Sequence, residues 1–280
     1  MWKVGSQVTS FEIGDHVFSQ LKIGLDSGGL QQFILLEAGF TALVPKGVSD
    51  DEAATLPICG VSAFVALFHP TGLGFPPPFP DNEGRSPSNC GNLSLVIIGG
   101  GANTGRMAVQ FASLAGMSKI IVIAALSNAE LLRSYGATHI IDRHGSNEVI
   151  KAQIHELMGE EVMFVLDAIN TNHTLAVFLL SSTKRGRAVT LLRGSHDETK
   201  IGGKGAGYEV VKIVGESHFL GDFGCRFWKE FPLWIERGKI TPLSFRIVEG
   251  GLNVTGVNKV LDGDYSDGKN PGKWMVHPNV

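Results

Sequence analysis

The sequence predicts an α/β chain with a doubly wound parallel sheet, and two observations carry this prediction. Short, fully apolar segments alternate with amphipathic ones between residues 93 and 192. Apolar strands of this kind are typical of a parallel sheet that helices cover on both faces. Most of the amphipathic segments end at a glycine, the usual residue at the carboxyl end of a helix. The central part of the chain is therefore predicted to consist of βαβ units.

The composition excludes several classes of protein. Of the 280 residues, 43% are apolar and 18% are charged, which indicates a globular chain rather than a disordered one. A net charge of -3 without a basic run argues against nucleic-acid binding. No apolar run approaches the roughly 18 residues of a membrane span, and the amino terminus lacks the apolar stretch of a secretory signal. Three cysteines are too few for a disulfide scaffold and indicate a reducing compartment, so we expect a cytoplasmic protein without a membrane partner.

The elements that precede the sheet are predicted from turn and capping residues. Residues 8–18 and 31–44 are predicted strands, since glycine or proline breakers bound or interrupt them. Ser49 and Glu52 have the spacing of a capping box, which predicts a short helix that ends before Pro57.

A buried helix and a proline-rich loop are predicted next. Residues 58–68 are apolar on most faces and predict the helix. Residues 70–92 indicate a surface loop or, alternatively, a docking motif for a partner. The strands of the sheet are predicted at residues 93–98, 120–124, 139–141, 162–166, 187–192 and 210–214, and the helices between them at residues 104–114, 128–135, 147–158 and 174–181.

The carboxyl-terminal part is predicted to carry one long helix, residues 222–237. Four aromatic side chains recur on it at helical spacing, which is typical of core packing. They are Phe223, Phe227, Phe231 and Trp234. A strand (245–248), a helix (254–261) and a strand (274–277) complete the chain.

The segment with chemical content is a glycine-rich turn between a predicted strand and a predicted helix, within residues 96–106. Here backbone N–H groups and the positive end of the helix point at one spot, which suits a pyrophosphate. The dinucleotide fingerprint G-x-G-x-x-G is met at Gly100 and Gly105, whereas Ala102 takes the middle position. The alternation around the turn favours a dinucleotide site, and the alternative is a glycine-rich turn that holds no ligand.

The choice of cofactor is predicted from the end of the second strand, residues 124–128. No Asp or Glu is present there to hold a ribose 2′-hydroxyl, which disfavours NAD. No Lys or Arg is present there either, and the nearest cation is Arg143, after the third strand. The sequence therefore predicts NADPH with Arg143 on the 2′-phosphate, and the alternative is that Arg143 is merely solvated.

The sequence motifs give little support for a metal site or for acyl-transfer catalysis. The cysteines form no C-x-x-C pair and the single His-Glu pair lacks H-E-x-x-H spacing, so we expect no metal site. Cys59 is expected to be a buried, inert thiol rather than a zinc ligand. Asp142 and Asp167 end predicted strands, where a carboxylate more often caps the following loop than acts in catalysis. No G-x-S-x-G elbow is present.

Five motifs resemble the medium-chain dehydrogenase/reductase superfamily and occur in its order over nearly the whole chain. They are VGSQVT (4–9) with GDHVF (14–18), EAATLP (52–57), GGGANTG (99–105), SYGATH (134–139) and ERGKITP (236–242). More narrowly, they are similar to the fungal zinc-independent branch, which includes the trans-acting enoyl reductases of polyketide synthesis.

The resemblance implies a Rossmann domain inserted in a GroES-like, β-rich catalytic domain. Residues 1–59 would be a partial GroES-like domain, 60–215 the NADP-binding Rossmann domain, and 216–280 the return to the catalytic domain. Because the family reaches this first strand only after several dozen residues, we expect a chain truncated at its amino end, by a truncated gene model or in a degenerate paralogue.

The resemblance also implies an activity and its residues. NADPH would deliver a hydride to a C=C bond conjugated to a carbonyl in an enone, an enoyl thioester or a quinone, and no proton donor is identified. The cofactor-binding residues would be Gly101, Ala102, Asn103, Thr104 and Gly105 at the pyrophosphate, Ser127, Asn128 and Arg143 at the adenosine, and Leu191 and Leu192 at the nicotinamide. The substrate side would be Cys59, Val61 and Ser62.

Other readings of the resemblance stay open. The chain would then be a quinone or carbonyl reductase of the same fold, or a non-catalytic NADP-binding protein. A polyketide synthase partner is implied by analogy alone.

Overall fold

A computed structural model describes residues 1–22, 28–81, 90–159, 161–264 and 273–278, except for the side chain of residue 264. It divides into two compact units. We call Cys59–Gly215 the sheet unit, and Met1–Ile58 together with Glu216–Val280 the split unit. Of the predicted proline-rich loop, residues 70–81 contain no helix or strand, and residues 82–89 lie outside the described residues.

Ten strands and eight helices occur in the described residues. The strands are β1 (Val17–Ser19), β2 (Thr41–Leu43), β3 (Ser94–Ile98), β4 (Lys119–Ala124), β5 (His139–Asp142), β6 (Phe164–Asp167), β7 (Gly186–Thr190), β8 (Tyr208–Lys212), β9 (Phe245–Ile247) and β10 (Lys273–Met275). The helices are α1 (Asp50–Ala54), α2 (Pro57–Phe68), α3 (Asn103–Leu114), α4 (Ala129–Ser134), α5 (Asn147–Met158), α6 (Thr174–Leu179), α7 (Asp222–Glu236) and α8 (Val254–Lys259).

The sheet unit contains one six-stranded sheet in the order β5-β4-β3-β6-β7-β8. Every neighbouring pair of strands is parallel. The predicted doubly wound sheet is thereby confirmed, with strand ends within about two residues of the predicted ones. Its central strands are buried on both faces: Leu95, Ile97 and Ile121 have no exposed surface.

The order in which the chain adds strands to the sheet changes sides between β3 and β6. From β3 the chain runs outward through β4 to β5, and then returns to the other side of β3 as β6. In open α/β sheets ligands bind outside the carboxyl ends of the strands at such a switch point. The glycine-rich turn follows β3 directly and therefore lies at that point.

The split unit is held by the aromatic side chains of α7. Phe227, Phe231 and Trp234 are almost fully buried, as the aromatic spacing predicts. The ring of Trp228 meets Phe18 of β1 edge to face, with 5.7 Å between centroids. Two small sheets complete the unit, β1 with β2 antiparallel and β9 with β10 parallel.

The predicted amino-terminal strands are wrong for most of their length. Only Val17–Ser19 and Thr41–Leu43 pair as strands. Before β1 the backbone bonds locally, since the N–H of Val8 donates to Gly5 and that of Asp15 to Glu12. These tight turns consume the groups that a strand would offer to a neighbour.

The predicted capping box of α1 is confirmed. The Ser49 hydroxyl accepts from the Glu52 N–H at 3.2 Å, and the Glu52 carboxylate accepts from the Ser49 N–H at 2.8 Å. The bonds from the backbone N–H and then the hydroxyl of Ser49 lower the pKa of Glu52. Since the carboxylate is favoured in the folded state, its contribution to stability is present above the unfolded pKa and lost as pH falls through the folded one.

Loss of this cap has a measurable cost. We expect Ser49→Ala to lower the free energy of unfolding by about 1 kcal/mol, because an N-cap hydroxyl that satisfies a helix N–H contributes about that much. Urea denaturation measures the change. Ser10→Ala, at an exposed serine outside any helix, is the control and should leave the midpoint unchanged. Equal midpoints for both variants would contradict the role of the cap.

Candidate functional site

Three glycines of the turn between β3 and α3 lie where a side chain does not fit. A Cβ at Gly99 would lie 2.0 Å from Cγ2 of Ile169, and one at Gly100 equally close to Cγ1 of Val122. A Cβ at Gly105 would lie 2.3 Å from the carbonyl oxygen of Gly99. Gly99 also has a φ of +79°, which favours glycine. Close packing of strand, turn and helix therefore explains the glycines.

The amino end of α3 carries backbone donors without a side-chain cap. Ala102 is the N-cap residue and offers no side-chain acceptor, and the first turn contains no acidic residue. The first N–H groups of a helix have no acceptor within the helix, and the helix dipole makes this end positive. The predicted pyrophosphate residues Gly101–Gly105 are thus brought together with donors that an anion would satisfy.

Asn128, predicted for the adenosine side, lies directly against this turn. Its Nδ2 is 3.1 Å from the position of a Cβ at Gly101. Its Oδ1 accepts a hydrogen bond of 3.1 Å from Nη2 of Arg106 on α3. Ser127 precedes it in a short 3₁₀ turn (Leu126–Asn128) and is exposed. Two of the predicted groups, the glycine turn and Asn128, therefore form one surface.

Arg143 is placed differently. It is exposed after β5, and its backbone N–H donates to the carbonyl of Ala124 at the end of β4. The neighbouring carboxylate of Asp142 accepts from the ring and the backbone N–H of His144, which lowers its pKa, and the charge of Arg143 adds a smaller effect. The guanidinium of Arg143 thus has an anionic neighbour on its own loop.

Arg106 is the residue that the sequence analysis missed. Its Nε is buried and has no hydrogen-bond partner. The sequence contained one signal, a cation in the first turn of a helix where acidic residues are preferred. Its reach to Asn128, 22 positions away, is a tertiary contact that spacing does not reveal.

The remaining predicted residues lie on two other elements of the sheet unit. Leu191 and Leu192 follow β7, and Leu192 is 44% exposed. On α2, Cys59 and Val61 are buried, whereas Ser62 is half-buried and packs against Gly215. The cleft residues implied by the resemblance thus include one partly accessible polar group.

Both strand-end carboxylates cap the loops that follow them, as expected. Asp142 accepts from the N–H of His144. Asp167 is fully buried and accepts from the N–H groups of Ile169 and Asn170 and from Nδ1 of His173. The predicted structural role of the two carboxylates is confirmed.

The described residues contain no candidate for a metal site, a disulfide or a membrane span. Among the described side chains, no three His, Cys, Asp or Glu come together to hold a metal ion. The three cysteines are free thiols, and Cys59 is buried, as predicted. None of the described helices combines the length and apolarity of a bilayer span.

Known proteins resemble this chain over part or most of its length. Residues 104–236 match the model of the zinc-binding dehydrogenases, although the described residues offer no zinc site. The trans-enoyl reductase himH of Aspergillus japonicus is 29% identical over 261 residues, 89% of this chain and 71% of that protein. The enoyl reductase component lovC of the lovastatin nonaketide synthase of Aspergillus terreus is 26% identical over 288 residues, 95% of this chain and 77% of that protein.

Solved structures share the fold. A putative zinc-dependent alcohol dehydrogenase from Rhizobium etli superposes with a TM-score of 0.75 at 20% identity, over 99% of this chain and 77% of that one. The CurK enoyl reductase superposes with a TM-score of 0.63 at 22% identity, over 88% of this chain and 68% of that one. In sequence the chain is similar to enoyl reductases and dehydrogenases over most of its length, and these relatives support an oxidoreductase.

Proposed function

We propose that the chain is an NADPH-dependent, zinc-independent reductase that acts on a C=C bond conjugated to a carbonyl. The observation that carries the proposal is the uncapped amino end of α3, which meets Asn128 across the glycine turn at the switch point of the sheet. Relatives described as enoyl reductases, which match 89–95% of the chain, support the reaction class.

Different residues of the sheet unit would bind different parts of the dinucleotide. The N–H groups at the amino end of α3 and the turn Gly101–Gly105 would hold the pyrophosphate, because they supply donors and a positive dipole without a competing cap. Ser127, Asn128 and Arg143 would hold the adenosine end. When bound, the nicotinamide supplies the hydride that reduces the β-carbon of the activated double bond.

Positioning and exclusion of water would be the chain's own contribution to the rate. Leu191 and Leu192 would cover the nicotinamide side with apolar surface, and Cys59, Val61 and Ser62 would form part of the substrate wall. A fixed cofactor in a dry site lowers the entropic barrier to hydride transfer. We assign no proton donor.

Enones and enoyl thioesters are the proposed substrates, in a cytoplasmic setting. A polyketide synthase is the proposed partner, since lovC is described as a component of such a synthase. A quinone reductase is the second candidate, because the chloroplast envelope quinone oxidoreductase homolog of Arabidopsis thaliana is 34% identical over 140 residues, half of this chain and 39% of that protein.

A fluorescence titration of the chain with NADPH, and with NADH in parallel, tests the proposal. We expect saturable NADPH binding with a Kd on the order of micromolar, and weaker NADH binding. Tighter binding of NADH would overturn the cofactor assignment, and binding of neither would overturn the enzymatic proposal. With binding established, NADPH oxidation by an enoyl thioester rather than by a benzoquinone supports the first candidate, and the reverse preference supports the second.

A further inference from the structure

Arg106 carries a charge that nothing in the described protein compensates. It lies in the first turn of α3, where the positive end of the helix dipole disfavours a cation. None of the ion pairs among the described residues involves it. Its side chain is half-buried and its Nε is buried without a partner. Such a placement costs free energy unless an anion occupies the site.

The guanidinium is nevertheless held in a fixed direction. Asn128 precedes α4 as its N-cap residue, a position where an Asn side chain normally accepts from the helix N–H groups. Here it makes no cap bond, and its Oδ1 accepts from Arg106 instead. The chain thus forgoes a helix cap to orient the arginine.

The neighbours of Arg106 are polar but not anionic. The charge of Arg106 acts to lower the pKa of Tyr135, but the burial of that phenol has the larger effect and raises it. Tyr135 therefore stays neutral at pH 7 and does not neutralise the guanidinium. The guanidinium of Arg106 thus donates to the neutral amide of Asn128 and forms an ion pair with none of the described carboxylates, which leaves a site for an anion beside the loop after β4.

We infer that Arg106, oriented by Asn128, recognises the 2′-phosphate of NADPH and sets the preference for NADPH over NADH. The inference rests on the proposed function. The end of β4 is where the adenosine ribose lies in this architecture, and the arginine fork matches the geometry of a phosphate. Arg143 already has Asp142 beside it, so it gains less from a phosphate than Arg106 does.

Binding rather than turnover tests the assignment. The Kd values of NADPH and NADH, and of 2′-AMP and 5′-AMP, are measured by calorimetry for the wild type, Arg106→Met and Arg106→Lys. Methionine keeps the apolar stem that packs at this position, and lysine keeps the charge without the fork. Arg143→Met is the matched control.

We expect Arg106→Met to weaken NADPH binding by at least about tenfold and NADH binding by less than about twofold, since a charge-assisted bond to phosphate is lost. Binding of 2′-AMP should fall in parallel, with 5′-AMP unchanged, and lysine should restore part of the difference. Arg143→Met should change the ratio of the two Kd values by less than Arg106→Met.

The outcomes separate the two proposals. If the wild type binds neither dinucleotide, the proposed function fails. If the wild type prefers NADPH and Arg106→Met, folded by circular dichroism, keeps that preference, the assignment of Arg106 alone is overturned. Equal weakening of NADPH and NADH would also overturn it, because the arginine would then serve a part that the two cofactors share.

Discussion

Replacement of Gly105 by alanine is expected to weaken dinucleotide binding strongly and to destabilise the sheet unit. The new Cβ would lie 2.3 Å from the oxygen of Gly99 and 2.8 Å from the Cα of Gly100, and both are backbone atoms. Alanine gains about 1 kcal/mol in helix propensity over glycine. Overpacking against a side chain costs about 1–3 kcal/mol, and backbone is less able to yield. We therefore expect a net loss of at least about 1 kcal/mol.

Binding should suffer more than stability does. Relief of the clash requires the turn to move away from α3, which separates the N–H donor of Gly101 from that of Asn103 at the start of α3. The Kd for NADPH should rise by at least about 100-fold, since several charge-assisted hydrogen bonds are lost together. Gly203→Ala is the matched control, because a Cβ there meets nothing within 4 Å. An unchanged Kd in Gly105→Ala would show that the turn is not the phosphate site.

Replacement of Asp167 by alanine should cause the largest loss of stability. Its carboxylate is fully buried at the end of β6 and accepts from Ile169 N–H at 3.3 Å, Asn170 N–H at 3.0 Å and His173 Nδ1 at 3.3 Å. His173 is itself 2% exposed, and its Nε2 has no partner. Removal of one member of a buried network leaves the other polar groups buried without partners. We therefore expect the free energy of unfolding to fall by about 3–5 kcal/mol.

Asp142 provides the matched comparison for this prediction. It also ends a strand and caps the next loop, but its side chain is 41% exposed. Water can replace the carboxylate there, so Asp142→Ala should shift the midpoint of urea denaturation far less than Asp167→Ala. Similar midpoints for the two variants would show that burial of the Asp167 network does not stabilise the fold.

The sheet was predictable from the sequence because its elements are locally consistent. The apolar strands, the glycines after α3, α4 and α5, and the Ser49 cap each act over a few residues, and the structure confirms them. Residues 8–15 contain apolar residues as well, but the N–H groups of Val8 and Asp15 donate within local turns. An alternation of apolar and polar residues is therefore not enough to predict a strand, because a strand also needs a neighbour with which to pair.

The candidate site was predictable only in part. The glycine turn follows from a motif of fixed spacing and Asn128 from the family resemblance. The contact between Arg106 and Asn128 depends instead on how α3 packs beside the loop after β4. The residues that follow the strands predicted Arg143 as the cation of the site, whereas Arg106 on α3 was missed. The burial of Asp167 could not be predicted from the sequence either, because its donors include backbone N–H groups whose positions depend on the fold.

The discontinuous split unit determines an order of events during synthesis. Gln20 accepts a hydrogen bond from the N–H of Ser217, which lies 197 positions later in the chain. The ring of Phe18 likewise packs against Trp228. The ribosome releases the first of these partners long before the second exists, whereas the sheet unit is one continuous segment. The sheet unit can therefore complete its core first, whereas residues 1–58 complete theirs only after residues 216–280 have been made.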